Sequence, residues 1–153
     1  MAKRVFFSFH YERDAWRAGI VRNSGMTKKD IGTAGFIDAC DWEEVKKGGD
    51  AAIRRWIDSQ LDGTSVTAVL IGKETCDREW VKYEIEQSYN KGNKLVGIYL
   101  DGLPNQDGEI DGRGRNPLDS IMGDDGKPLS SKFKTYHWIN NNGYKNIGHW
   151  VAI

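Results

Sequence analysis

One carboxylate is out of place in the segment Glu79–Asn90, which reads as a helix. With successive residues about 100° apart, Val81, Ile85 and Tyr89 gather on one side, and Lys82, Glu86, Glu79 and Asn90 lie opposite. Glu84 falls about 40° from Trp80, inside the apolar arc, with Ser88 beside it. An unpaired carboxylate in such a setting costs several kcal/mol or holds its proton well above the usual range. A salt bridge to an arginine, a helix edge that stays wet, or a cleft lined by the carboxylate would each relieve that cost. In the last case Glu84 would stand beyond the carboxyl ends of a parallel sheet, where open α/β sheets bind ligands. Ser8-Phe9-His10-Tyr11, directly after the first apolar run, would reach that same edge.

Other constellations fail on spacing. Gly112-Arg113-Gly114 begins like a dinucleotide fingerprint, but Pro117 stands where its third glycine belongs, and no strand precedes it. The acidic stretch from Asp107 has Leu118, not Glu, at the twelfth position of a calcium loop. The central strand ends Ile71-Gly72-Lys73, without a phosphoacceptor aspartate. His10, His137 and His149 are scattered, and Cys40 and Cys76 form no CxxC, so no metal site is expected. Cys76 reads as a small buried residue at a helix entry, Trp80 as packing, and Trp42 equally as a core lid or a ring against a ligand.

The elements that position these residues alternate. Val5–Phe9 reads as a buried strand, and Glu12–Arg22 as a helix with Ala15, Trp16, Gly19 and Ile20 on one face. Asn23–Gly35 reads as loop, Gly35–Ala39 as a second strand and Asp41–Gly49 as a second loop holding Trp42. In Asp50–Leu61, Ile53, Trp56, Ile57 and Leu61 keep helical spacing, with Asp50 as N-cap. Val66–Ile71 and Leu95–Leu100 are near-continuous apolar runs, the pattern of central parallel strands. Asp101–Pro128 repeats Asp-Gly and has few apolar residues, so it reads as a long surface excursion with a short helix around Leu118–Met122. Phe133–Ile139 closes the series as a fifth strand, and the tail from Ile147 is apolar enough to dock on the body. Strands alternating with helices imply an α/β fold of three layers, a mainly parallel sheet covered on both faces. The length of 153 residues fits a single domain, 1–153.

Lys plus Arg number 22 and Asp plus Glu 22, so no bulk charge draws the chain to nucleic acid or to an anionic membrane. No apolar run approaches a membrane span, and the opening run is too short for a signal peptide; a cytoplasmic protein with reduced thiols is expected.

Phe6-Phe7-Ser8-Phe9-His10-Tyr11-Glu12-Arg13-Asp14 resembles the opening of TIR domains. Thr75-Cys76-Asp77-Arg78-Glu79-Trp80-Val81-Lys82-Tyr83-Glu84-Ile85 resembles their second signature, in which a Trp precedes the key Glu by four residues. The start Lys3–His10 is most similar to the TIR-like subunit of the bacterial Thoeris anti-phage system, and the resemblance spans about residues 3–100. It implies a flavodoxin-like, five-stranded fold and an enzyme that takes NAD as substrate, without a further cofactor, and breaks its nicotinamide–ribose bond. It also implies an ADP-ribose-type product, cyclic in the Thoeris case, that switches on an effector protein. Self-association is implied as well, through the segment after strand two, about Cys40–Gly49. Carried onto this chain, the catalytic Glu falls on Glu84, and Ser8, Phe9 and His10 fall on the loop lining the nucleotide cleft, with Trp42 as a candidate stacking wall. His10 stands where an Arg is common, which leaves Arg13 or Lys28 and Lys29 as candidates to hold phosphates.

A single glutamate suits that reaction. Nicotinamide leaves NAD as a neutral molecule, so no acid has to protonate it. Positive charge builds on the ribose as in glycoside hydrolysis, and a carboxylate against it helps most in the transition state. Two other readings stay open here: a TIR-like assembly module without chemistry, and a nucleoside deoxyribosyltransferase-like enzyme, whose sheet also sets a Glu against a ribose.

Overall fold

The structure, a computed structural model, describes residues 3–24 and 31–152. Lys28 and Lys29 lie outside the described residues. Five strands, β1 (Lys3–Ser8), β2 (Ile31–Ala34), β3 (Val66–Ile71), β4 (Lys94–Tyr99) and β5 (Thr135–His137), form one sheet in the order β2-β1-β3-β4-β5. All four pairings are parallel. This is the flavodoxin-like order, and it puts β3 at the centre, where every residue is buried. Among the described residues five α-helices accompany the strands: α1 (Ala15–Arg22), α2 (Ala39–Lys47), α3 (Gly49–Leu61), α4 (Glu79–Lys91) and α5 (Gly143–Trp150). Right-handed crossovers put α1 on one face and α2, α3 and α4 on the other. The α/β architecture is therefore the one expected.

The strongly periodic segments form where their pattern puts them. Helix α3 buries Ile53, Ile57 and Leu61, and α4 buries Val81 and Ile85 together with Glu84 and Ser88. Gly92, in the left-handed region at φ 95°, ends α4, because a glycine there carries no Cβ penalty. The N-cap of α3 is Gly48 rather than Asp50, which sits in the first turn.

In the first third of the chain the structure corrects the expected elements. The second strand is Ile31–Ala34, not Gly35–Ala39: Gly35 has φ +90° and lies so near the Phe7 carbonyl that a Cβ would collide with it, so it turns the chain out of the sheet. The segment Asp41–Gly49 is not a loop but the body of α2. Asp38 caps that helix, its carboxylate accepting from the Asp41 amide at 2.8 Å. Only Trp42 is buried along α2, so an apolar stripe was too thin to read. In α1 the buried face is Arg17, Ala18 and Val21, while Trp16 is 53% exposed. A buried ion pair, Arg17 Nη1 to Asp14 Oδ1 at 2.9 Å, sets that register in place of the apolar stripe.

The Asp-Gly-rich excursion is tied down at both ends. Arg17 Nε donates to the Leu103 carbonyl at 2.9 Å, its Nη2 donates to the Glu109 carbonyl at 3.1 Å, and Arg13 pairs with Asp111 at 2.8 Å. Further on, Leu118 and Leu129 are fully buried against Val69, Ile71, Val81, Ile85 and Leu95, forming a second core. The short helix expected around Leu118–Met122 is a single 3₁₀ turn, Pro117–Asp119, capped by Asn116. Strand β5 is shorter than the expected Phe133–Ile139, and Gly97 lets Thr135 approach β4 where a Cβ would meet its hydroxyl at 2.7 Å. The tail docks through Ile147, Trp150 and Val151, with Trp150 stacked on Tyr136 at 4.5 Å.

Arg17→Ala would strand the Asp14 carboxylate without its cation and free two carbonyls of the excursion. A loss of about 3–5 kcal/mol in unfolding free energy is expected, as for breaking other buried ion pairs. Faster limited proteolysis between residues 103 and 111 should accompany it. An unchanged denaturation midpoint and cleavage pattern would refute the clamp.

Candidate active site

Strands β1 and β3 lie side by side, and the chain leaves their carboxyl ends in opposite directions, to β2 and to β4. Such a switch point opens a crevice in parallel sheets. Ser8 is the last residue of β1, in register with Val69, and α4 crosses behind it. The Ser8 hydroxyl donates to Glu84 Oε1 at 2.6 Å. The Tyr11 hydroxyl, from the segment between β1 and α1, donates to Glu84 Oε2 in a short contact. Glu84 has no exposed surface. One turn on, the Ser88 hydroxyl donates to the Glu84 carbonyl at 2.6 Å and receives a hydrogen bond from Thr67 at 2.7 Å. The polar face of α4 at Glu84 and Ser88 is thus matched by hydroxyls of β1 and β3.

Neither a salt bridge to an arginine nor a wet helix edge accounts for Glu84. Both partners of its carboxylate are neutral hydroxyls. Burial pushes its pKa up from 4.5 to about 8, and the bonds from Ser8 and Tyr11 offset only part of the rise. The enclosed group therefore holds its proton more tightly than an exposed glutamate does. Two neutral donors orient a carboxylate without cancelling its charge.

The sequence-derived candidates divide into those at Glu84 and those beside it. Ser8 touches it directly. Phe9, 2% exposed, packs edge-on against Tyr11 at 4.7 Å. Trp42 lies on Tyr11 from the other side at 4.7 Å, and Trp56 of α3 meets Tyr11 at 5.6 Å. Trp42 therefore reaches Glu84 only through Tyr11, and its buried indole Nε1 has no hydrogen-bond partner among the described residues. His10 is buried but turned elsewhere: its Nδ1 accepts from the Arg13 amide at 3.2 Å, and its Nε2 lies 3.9 Å from Glu74. Burial, helped by Arg78, lowers its pKa, so it is neutral at pH 7. Arg13 is paired with Glu74 and Asp111, which leaves it committed to protein carboxylates. Trp80 is half-buried packing against Tyr83 at 5.8 Å, and Cys76 is a half-buried free thiol in the 3₁₀ turn Thr75–Asp77. Sequence reasoning does not single out Tyr11. The available signal was its place three residues after Ser8, on the edge that Glu84 was expected to share.

A cavity of about 860 Å³ opens next to this cluster, lined by Phe9, Phe36, Trp56, Arg22, Asp38 and Gln60 among others. Its Phe9 and Trp56 wall is the outer side of the rings that hold Tyr11. Glu84 does not line it. Among the described residues no three His, Cys, Asp or Glu side chains are grouped as metal ligands, and no helix is long and apolar enough to cross a membrane.

Comparison with known proteins gives two findings. The family described as "Thoeris protein ThsB, TIR-like domain" matches residues 6–105. A protein of Bacillus cereus (strain MSX-D12), named "Putative cyclic ADP-D-ribose synthase ThsB1", is 37% identical over 191 aligned positions, covering 99% of this chain and 100% of that protein.

The proton affinity of Glu84 has a measurable consequence. Its folded-state pKa, about 8, lies above the ordinary 4.5, so its contribution to stability is complete below about 4.5 and is lost as pH rises through about 8. Glu84→Gln lacks this dependence. The melting temperature of the variant should therefore climb relative to wild type between those two pH values. Parallel curves would show that Glu84 ionises freely in the folded protein.

Proposed function

The chain belongs to the ThsB TIR-like family of the Thoeris system, and on that premise we propose that it consumes NAD, breaking the nicotinamide–ribose bond to make a cyclic ADP-ribose-type signal. The observation that carries this reading is Glu84: a buried carboxylate at the β1/β3 switch point, oriented by Ser8 and Tyr11 and compensated by no cation among the described residues. The relative's printed name supplies the product class.

The residues suggest the following course. Nicotinamide departs neutral, so Glu84 is needed as an anion and not as an acid. Its charge faces the ribose as positive charge develops there, and the lack of a neighbouring cation leaves that charge undiminished. The ribose hydroxyls would donate to the free lone pairs of the same two oxygens, alongside Ser8 and Tyr11. The cavity lined by Phe9, Phe36 and Trp56 offers aromatic walls for a planar ring at the edge of that site. NAD is substrate here, and the chemistry asks for no further cofactor. Closure to a cyclic product needs an adenine or ribose nucleophile to reach the ribose before water does, which an enclosed site favours.

Glu84 must first be uncovered. It does not line the cavity, and Trp42, which packs on Tyr11, rides on α2. On this reading the resting protein is silent, α2 shifts on triggering or on self-association, and the nucleotide product carries the message to an effector protein. The concealment of Glu84 also favours a second reading, an assembly module in which the buried carboxylate is only a folding element.

Concentrated protein and its Glu84→Gln variant should be incubated with NAD and the products separated by chromatography with mass detection. Release of nicotinamide by wild type, reduced at least a hundredfold in the variant, is the expected outcome. Equal release by both would overturn the role of Glu84. Intact NAD in wild type, also in lysate from phage-challenged cells, would favour the assembly reading.

A further inference from the structure

Tyr11 is the residue at this site for which neither the sequence signatures nor the comparisons supply a role. Its ring is caged by Phe9 at 4.7 Å, Trp42 at 4.7 Å and Trp56 at 5.6 Å, contributed by β1's end, α2 and α3. A tyrosine used only for packing would leave its hydroxyl at the surface or on a backbone carbonyl. Here the hydroxyl is carried inward to one acceptor, Glu84 Oε2, while Ser8 takes Oε1 at 2.6 Å. Burial and the neighbouring carboxylate raise the phenol's pKa well above 10, so the hydroxyl keeps its proton through the neutral range.

We infer that Tyr11 is a positioning residue for Glu84: its caged hydroxyl fixes the plane of the carboxylate and favours its charged form, and the rings of Trp42 and Trp56 hold the hydroxyl in place. The inference rests on Glu84 being the working carboxylate of the proposed reaction. It goes further in assigning the control of that carboxylate to a neutral donor that α2 keeps in position. Among the groups packed around Glu84, Ser8 and Tyr11 reach from the β1 side, and Ser88 and Thr67 reach only its backbone carbonyl side. Removing the Tyr11 hydroxyl therefore removes half of what stabilises the anion.

The decisive variant is Tyr11→Phe, which keeps the caged ring and deletes the donor. In NAD turnover, kcat should fall roughly tenfold at neutral pH, with KM within about threefold, and the acidic limb of the kcat profile should move up by about one pH unit. Loss in KM at constant kcat, or an equal fall at every pH, would overturn the positioning role. A readout independent of turnover is the melting temperature against pH, referred to Glu84→Gln. In Tyr11→Phe the range over which stability is lost should extend to higher pH than in wild type. Turnover absent from all proteins with that range displaced would sink the NAD reading and keep the Tyr11–Glu84 linkage. An undisplaced range would sink the linkage whatever the activity. If Tyr11→Phe does not fold, Trp42→Phe loosens the cage and leaves the hydroxyl; a smaller displacement in the same direction is expected, and none would refute the inference.

Discussion

A carboxylate with no exposed surface has to be met by donors, and the geometry around Glu84 follows from that requirement. Helix α4 carries Glu84 to the end of β1, and Ser8 answers it there with the last side chain of the strand. Tyr11 answers the other oxygen, which fixes the path of the chain between β1 and α1. Three rings then pack around Tyr11, drawing α2 and α3 to the same point. Had either oxygen met an arginine, the charge would have been compensated within the protein. On the proposed reading, that unspent charge has a reaction to serve.

The two sides of the sheet's carboxyl edge are treated differently. Over β3 and β4 the excursion closes the edge: Gly114 rests so near the Gly72 carbonyl that no side chain fits between them, and Arg17 and Arg13 bind the stretch 103–111 to α1. A second pair, His137 Nε2 with Asp101 at 2.9 Å, secures the same region to β5. Over β1 and β2 the edge stays open, and the cavity beside Phe9 and Phe36 lies there. What the composition presents as a polar digression is a wall that leaves one direction of approach.

The parts of the molecule legible in the sequence are those in which burial follows a simple period. Val66–Ile71 is buried throughout and reads as a central strand; Ile53, Ile57 and Leu61 keep one helical face. Glu84 was legible for the same reason, as an exception inside a clear pattern. Where polar contacts set the register, the pattern misleads. Trp16 looks inward by composition, but the Asp14–Arg17 pair turns α1 so that it faces out. Helix α2 is held by the Asp38 cap and one buried tryptophan, too little apolar content to announce a helix. Tyr11 was hidden for a related reason: its importance lies in an acceptor 73 positions away.

Concealment of Glu84 also has a price in populations. A ligand can reach a group without surface only in conformations where the ring cluster has parted. If those make up a fraction f of the molecules, the observed dissociation constant is the intrinsic one divided by f. Any contact that favours parting, including one on the outer face of α2 far from the carboxylate, multiplies affinity by the same factor for every ligand of the site. On the proposed reading, sensitivity is therefore adjustable at residues that never touch a ligand, with Glu84 left as it is.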